Sequence, residues 1–510
     1  MLSQEQQQFT DLAVSGQNTI ASATAGAGKT FTLAAAANSM IAAKPNIKGV
    51  ALTFSKPLAD ELQRKLPSAI TGKTIHSLCY ATVQKALKSF GGGKLVVDER
   101  KYRKLLQDKD IWNDESDGYM EIIENLQKLP FTINELTEFI NTNYPEETKR
   151  VVFDILSQGY TQFTEEGTIT YNDMVWYPVL KDYSKYAWRN QVVFLDETQD
   201  TSALYLKAIQ MHSNSNSLFL AVGDQQQTVH AWNGIPLDRF SQIQNELNAT
   251  QVRFNRTYRL PQEHVDLLYQ LNLTDDIVTE NKNSGNINNI KLEKIYNTAV
   301  PGDLILSRFH AGKKSNDVSL VEVGLGLLRQ GKPIRYVRFD PVKYIEMFVK
   351  FVNKAKINNL TIGLVKWEEK LTEIARNTCA KKGNDLNYED LRSKMELVDQ
   401  KVETVQLHLN LYQGNDGNSF ITFVKQLYDR NRSDNAIILS SAHAAKGLES
   451  NNVYILNPHQ FMSFRREPTV EEYVSEANVL FVALSRSKSN LNFIGEKPIA
   501  VKEQYLNYYF

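Results

Sequence analysis

Apolar residues in this chain come in short continuous runs, and the stretches between them repeat at helical spacing. The runs are Asn18–Ala23, Gly49–Phe54, Val192–Asp196, Leu218–Val222, Asp303–Ser307, Ile334–Arg338, Ala436–Ser440, Asn452–Leu456 and Leu491–Ile494. They have the length of strands and the continuous apolar character of strands buried on both faces. Amphipathic stretches at Thr30–Ala43, Pro57–Leu66, Ser202–His212, Ser319–Arg329 and Glu471–Arg486 lie between several of them. This alternation predicts an α/β fold built of βα units, with parallel sheets covered by helices on both faces.

Two regions break the alternation. From Gly91 to Gly167, and again from Asp340 to Asn435, the pattern is helical and polar, with no convincing buried strand. Each reads as a helical insertion into an α/β domain. The predicted organisation is a first domain from 1–90 and 167–250 with an insertion at 91–166. A second domain follows from 251–340 and 436–510, with an insertion at 341–435. The stretch NKNSGNINN at 281–289 reads as an exposed loop.

Composition narrows the class. The chain has 510 residues, enough for several domains. Its 2 cysteines, Cys79 and Cys379, form no CxxC pair, so neither a disulfide framework nor a zinc site is expected, and a reducing compartment fits. The start, MLSQEQQQFTDL, lacks the charge and apolar pattern of a secretory signal, and no apolar run is long enough to span a bilayer. The expectation is a cytoplasmic protein without a membrane partner (nuclear in a eukaryote). Lys and Arg total 58, against 58 Asp and Glu. That balance argues against a protein coated with basic charge for nucleic-acid binding.

The first run leads into Ala23-Thr24-Ala25-Gly26-Ala27-Gly28-Lys29-Thr30 and then a helix. Small residues at a strand-to-helix turn let backbone N–H groups point inward at phosphates, and a helix N-terminus favours anions. Lys29 is placed to meet the β- and γ-phosphates and Thr30 to meet Mg²⁺. Ala23 stands where such loops usually carry their first glycine. The run Val192–Leu195 ends in Asp196-Glu197-Thr198-Gln199-Asp200. Asp196, at a strand end, is placed to hold Mg²⁺, and Glu197 to deprotonate a water. Acids at such a position also serve simply to cap a helix N-terminus; the Lys29 loop makes the catalytic use the stronger reading.

In series these motifs resemble the UvrD/Rep-like superfamily 1 DNA helicases, and in pattern most nearly the compact F-box DNA helicase type. DETQD resembles the family's DExQD box, and Val222–Gly234 its GDxxQxIYxWxG box. Thr257-Tyr258-Arg259 resembles the NYR segment, Ser441–Glu449 the H-x-x-KGLE segment, and Glu476–Arg486 the E-x-x-x-x-YVAxTR segment. Thr53-Phe54-Ser55 and Thr74-Ile75-His76 are weaker matches. The resemblance implies two RecA-like domains that use ATP and Mg²⁺ to move on single-stranded DNA and at single-strand/duplex junctions, 3′→5′ by analogy and as a monomer.

It also implies roles. Gln6 falls at the adenine-reading position, although Ser3-x-x-Gln6 is equally a helix capping box. Tyr258 is implied to stack on the base, Gln227 to sense the γ-phosphate, and Glu449 to serve the ribose or the coupling network. Arg259 and Arg486 are implied arginine fingers. Phe31 stands where many relatives carry an arginine next to the nucleotide. For the DNA track the resemblance implies Trp232, Phe54 and His76 as stacking groups, and Thr53, Ser55, Thr74, Ser441 and His443 as polar contacts. His230, Ile75 and Ser450 depart from the family pattern in ways that bear on the strand and not on hydrolysis. Two other activities stay compatible with these residues. One is a translocase that strips proteins or recombination filaments from DNA; the other is a nucleotide-dependent clamp that does not cycle.

Overall fold

The computed structural model describes residues 2–109, 111, 116–228, 235–311, 317–380, 388–429, 433–464 and 466–505. The chain divides into two units, 1–254 and 255–510.

The first unit is built on a six-stranded parallel sheet. Its strands are β1 (Thr19–Ala23), β2 (Gly49–Thr53), β3 (Ile70–Thr74), β4 (Asn190–Leu195), β5 (Ser213–Gly223) and β6 (Thr250–Phe254), in the order β3-β2-β4-β5-β1-β6. Side chains alternate between its faces, as strand geometry demands. Val192, Phe194, Leu220 and Val222 join a core with α1 (Gln4–Ser15) and α2 (Lys29–Ala43). Val193, Leu195, Phe219 and Ala221 join the opposite core, with α4 (Ile75–Ser89), α5 (Tyr171–Leu180) and α6 (Ala203–Met211). The connection between β2 and β3 is α3 (Lys56–Lys65). β3 and β6 were not among the runs read from sequence. Both lie at sheet edges, and their polar sequences ITGKT and TQVRF reflect that partial exposure.

The first helical insertion contains helices Lys101–Gln107, Ser116–Leu126, Ile133–Asn143 and Glu146–Glu166. Its apolar side chains, among them Leu105, Ile123, Ile140 and Phe163, belong to the same core as the second face of the sheet. At its base lies a buried polar network. The Lys101 ammonium donates to Asp173 Oδ2 at 2.7 Å and to the Tyr177 hydroxyl at 2.9 Å. Tyr102 Oη and Gln127 Nε2 both donate to Asp173 Oδ1 at 2.6 Å. Asp173 also closes the capping box that starts α5, accepting from the Thr170 N–H. Burial lowers the Lys101 pKa, and Asp173 opposes that shift. Removing one member of such a pair strands the other in a dry core. Lys101→Met is therefore expected to cost about 3–5 kcal/mol, read from the urea midpoint of the transition that includes the first unit.

The second unit repeats the architecture. Its strands are β7 (Asn286–Asn289), β8 (Leu304–Ser307), β9 (Ile334–Tyr336), β10 (Ile437–Ser441), β11 (Ser450–Leu456) and β12 (Ser487–Ile494), all parallel, in the order β7-β12-β11-β8-β10-β9. β7 corrects the sequence expectation, since 286–289 is not loop but an exposed edge strand. It is held partly by side-chain amides, Asn286 on Asn490 and Asn288 on Asn492. An edge strand with no buried face leaves no apolar signal to read. The second helical segment, Pro341–Lys354, Leu360–Ala380, Tyr388–Leu409 and Gly417–Asp429, packs a core of its own around Phe348, Trp367, Val405 and Phe420. Among the described residues no helix is long and apolar enough to cross a membrane.

Candidate nucleotide site and nucleic-acid track

In a parallel sheet every strand ends at the same edge, and loops beyond those ends form the usual ligand crevice. In the first unit, β1 lies between β5 and β6, with β4 on the far side of β5. Three chemistry-bearing segments therefore leave neighbouring strands: Thr24–Gly28 after β1, Asp196–Asp200 after β4 and Asp224–Gln227 after β5.

The first turns inward because Gly26 and Gly28 both take the left-handed conformation, each with φ +76°, which costs glycine little. Gly28 starts α2 without a side-chain cap, so the first-turn N–H groups face an incoming anion. Lys29 and Thr30 open that helix. Lys29 Nζ lies 3.8 Å from Glu197 Oε1, and the Thr30 hydroxyl donates to Asp196 Oδ2 at 3.1 Å. The Lys29 ammonium, the Thr30 hydroxyl and both carboxylates thus converge from two segments far apart in sequence.

Burial, then the adjacent Glu197 charge, pushes the Asp196 carboxyl up to about 6, while Lys29 and the Thr30 hydroxyl pull it down. A divalent cation at this point would favour the ionised form. One carboxylate and one hydroxyl are hard oxygen donors suited to Mg²⁺, which keeps several waters and shares phosphate oxygens instead of needing an all-protein cage. Among the described residues there is no cluster of three or more His, Cys, Asp or Glu able to hold a metal ion.

Glu197 itself sits in the left-handed region, with φ +55°, which costs a residue with a Cβ about 1–2 kcal/mol. Its Oε2 accepts from Gln199 Nε2 at 2.7 Å, and Gln199 Oε1 accepts the Asp224 N–H at 2.9 Å. Gln199 thus joins the carboxylate segment to the next one. It was not singled out from sequence, although its place two residues after Glu197 in the acidic box was available as a signal. A Cβ on Gly223 would come within 2.5 Å of Gln199 Oε1, so this approach requires glycine. Gln227 is buried, and its Nε2 donates to Asp224 Oδ2 at 2.6 Å.

Gln6 fulfils the capping box: its N–H donates to Ser3 Oγ and its Oε1 accepts the Ser3 N–H. Its Nε2 donates to Ala27 O at 3.0 Å, so the same side chain braces the phosphate loop. Ala25 and Ala27 are buried in that loop, and Phe31, in the first turn of α2, is 55% exposed.

The track candidates of this unit gather at the same sheet edge, one strand further out. Thr53 and Thr74 are register partners at the ends of β2 and β3. Thr53 is buried, and its hydroxyl has no partner among the described residues. Ser55 caps α3 through the Leu58 N–H, and Thr74 caps α4 through the Ser77 N–H. Phe54 lies 6.0 Å from Tyr205 between ring centroids, and His76 packs edge-on against Tyr171 and Tyr205. Burial lowers the His76 pKa, so the ring is neutral at neutral pH. Trp232, with His230, lies outside the described residues.

In the second unit, Tyr258 is 46% exposed. Arg259 Nη2 pairs with Glu449 Oε2 at 2.5 Å, and its Nη1 donates to Ser485 O at 3.3 Å. Glu449 also meets Lys488 at 2.5 Å. Burial would raise the Glu449 pKa, but these two cations hold it below the usual range. Arg486 is buried, donating to Val482 O, Leu448 O and Ser485 Oγ. Ser441 ends β10, and His443 opens the turn after it.

A phosphate-type loop after the first strand, a carboxylate pair after the strand next but one in the sheet, and a fully parallel sheet are the features of the P-loop α/β class. Residues 2–248 match the family model of the UvrD/REP helicase N-terminal domain. That match lies within the first unit and covers just under half of the chain, so the chain is similar there to the UvrD/Rep-like helicases. It is 26% identical over 235 residues to the ATP-dependent DNA helicase Rep of Buchnera aphidicola subsp. Acyrthosiphon pisum, a match covering 41% of this chain and 35% of that protein. It is 22% identical over 402 residues to a probable DNA helicase II homolog of Mycoplasma capricolum, covering 60% of this chain and 55% of the relative. The matched region thus spans about a third to a half of the relatives' own length.

Proposed function

We propose that the chain is an ATP-dependent DNA helicase: a motor that moves on single-stranded DNA, 3′→5′, and opens duplex ahead of it. The observation that carries this reading is the convergence of Lys29, Thr30, Asp196, Glu197 and the Gln199–Asp224–Gln227 chain at one sheet edge. In this reading Lys29 and the first-turn N–H groups of α2 bind the β- and γ-phosphates. Glu197 takes the proton of the attacking water. Gln227 answers to the γ-phosphate, and Gln199 carries its position to Glu197. Mg²⁺, held by Thr30 and Asp196, would neutralise developing phosphate charge. Arg259 and Arg486 are the proposed guanidinium donors to the phosphoryl group in transit. Arg486 reaches that role by exchanging its backbone partners.

The proposed strand contacts are Phe54, His76 and Trp232, which offer ring faces to bases of any identity, with Ser55, Thr74, Ser441 and His443 supplying polar contacts. The test is strand separation on duplexes carrying either a 3′ or a 5′ single-stranded tail. ATP-dependent opening from the 3′ tail alone is expected. Strand-stimulated hydrolysis without opening from either tail would reduce the function to translocation, and opening without nucleotide would defeat the mechanism.

A further inference from the structure

A second surface of the first unit has the chemistry of a nucleic-acid contact and lies away from the proposed track. It is formed where the last turns of α4 meet the segment leading into β4. Lys85 Nζ stands 4.0 Å above the ring of Trp188 and donates to Tyr186 O at 3.3 Å. Lys185 Nζ lies over the Tyr186 ring, whose hydroxyl meets Ser89 Oγ. Arg189 Nη1 donates to Ser213 O at 2.9 Å. These contacts hold Lys85, Lys185, Trp188 and Arg189 in one patch, with Lys88 a turn along from Lys85.

Two properties set the patch apart. First, its four cations Lys85, Lys88, Lys185 and Arg189 are exposed, and none pairs with a carboxylate among the described residues. Residues 75–93 and 183–190 contain no Asp or Glu at all, and nearby Asp182 is turned to the Ser184 N–H. In a chain whose charges cancel, this is a local positive excess, complementary to a polyanion. Second, Trp188 is 60% exposed. Lys85 covers one face of its ring, leaving the other for an aromatic guest. A protein partner of acidic character needs the cations only; a strand with unstacked bases uses both the cations and the ring.

The geometry points to a second binding site for single-stranded nucleic acid, centred on Trp188 and Lys85 and separate from the track at the ends of β2 and β3. His76 of the track opens the same helix, so the two sites lie roughly 15 Å apart along its axis. This deepens the helicase reading and rests on it: a motor that separates a duplex creates a second strand, and this surface fits that strand.

The test compares a forked DNA bearing two non-complementary arms with a single-stranded oligonucleotide, by fluorescence anisotropy over a salt series. Lys85→Glu combined with Lys185→Glu should weaken fork binding about tenfold or more and flatten the salt slope by about two. Trp188→Ala should weaken it about tenfold with the salt slope unchanged. In both, the oligonucleotide concentration that half-saturates ATPase stimulation should stay at the wild-type value. The Lys→Gln pair replaces the charge reversal if that variant melts early. Unchanged fork affinity in both variants would overturn the proposal. An equal loss in half-saturation would make the patch part of the first track, and displacement by poly-glutamate insensitive to Trp188→Ala would assign it to an acidic protein. If wild-type hydrolysis ignores the oligonucleotide, the helicase reading falls, while the fork measurement still judges the patch.

Discussion

Lys29→Ala is expected to cut strand-stimulated ATP hydrolysis by about 10²–10³-fold and to weaken nucleotide binding as well. Lys29 opens α2 directly beneath the left-handed turn at Gly28, so its ammonium and the first-turn N–H groups address the same anion. It is also the cation facing Glu197. Its removal takes away phosphate affinity and leaves two neighbouring carboxylates, Asp196 and Glu197, to repel the triphosphate. Lys29→Arg should not rescue turnover, because a planar guanidinium cannot replace a compact ammonium in that turn. Nucleotide affinity by calorimetry and single-turnover hydrolysis together check the prediction. Hydrolysis at the wild-type rate would remove Lys29 from the mechanism.

Glu197→Gln should separate the two effects. The amide keeps the shape and can still meet Gln199, but it cannot accept a proton from water. Loss of a general base typically costs about 10²–10⁴-fold in rate. Binding should be kept or slightly improved, since a negative charge beside Asp196 is gone, and that charge is one reason the Asp196 carboxyl titrates near 6. The expected signature is a protein that holds ATP, turns over slowly and stays on its strand. Turnover within a few-fold of wild type would mean that the carboxylate serves the fold at that left-handed corner, and that another group activates water.

What could be read in the sequence was whatever leaves a local trace. The phosphate loop is eight consecutive residues, and the acidic box follows an apolar strand, so each was visible at once. The capping use of Gln6 was visible for the same reason, while its bond to Ala27 was not, because it depends on α1 packing beside the loop. Gln199 illustrates the middle case. It was seen as a letter in a motif, but its work depends on the neighbouring strand bringing Asp224 within reach. The Lys101–Asp173 network left no trace, since its members are scattered between 101 and 177 and only the fold gathers them. Edge strands β3, β6 and β7 were missed because an exposed strand has no reason to be apolar. Burial of Arg486 could not be foreseen from a charged residue at the end of an apolar helix.

The order β3-β2-β4-β5-β1-β6 has a consequence for how the molecule is made. The strand that carries the phosphate loop comes first in the chain, yet it pairs only with strands that come last in its unit: Thr19 lies opposite Leu220 on one side and Thr250 on the other. On a ribosome releasing the chain from its N-terminus, β1 has no partner until nearly the whole unit has emerged. Pairings this remote in sequence form slowly, and an unpaired apolar strand is open to wrong partners while it waits. The segment most needed for chemistry is thus the one longest at risk during synthesis, and shielding of TIASA in the nascent chain becomes a condition for its yield.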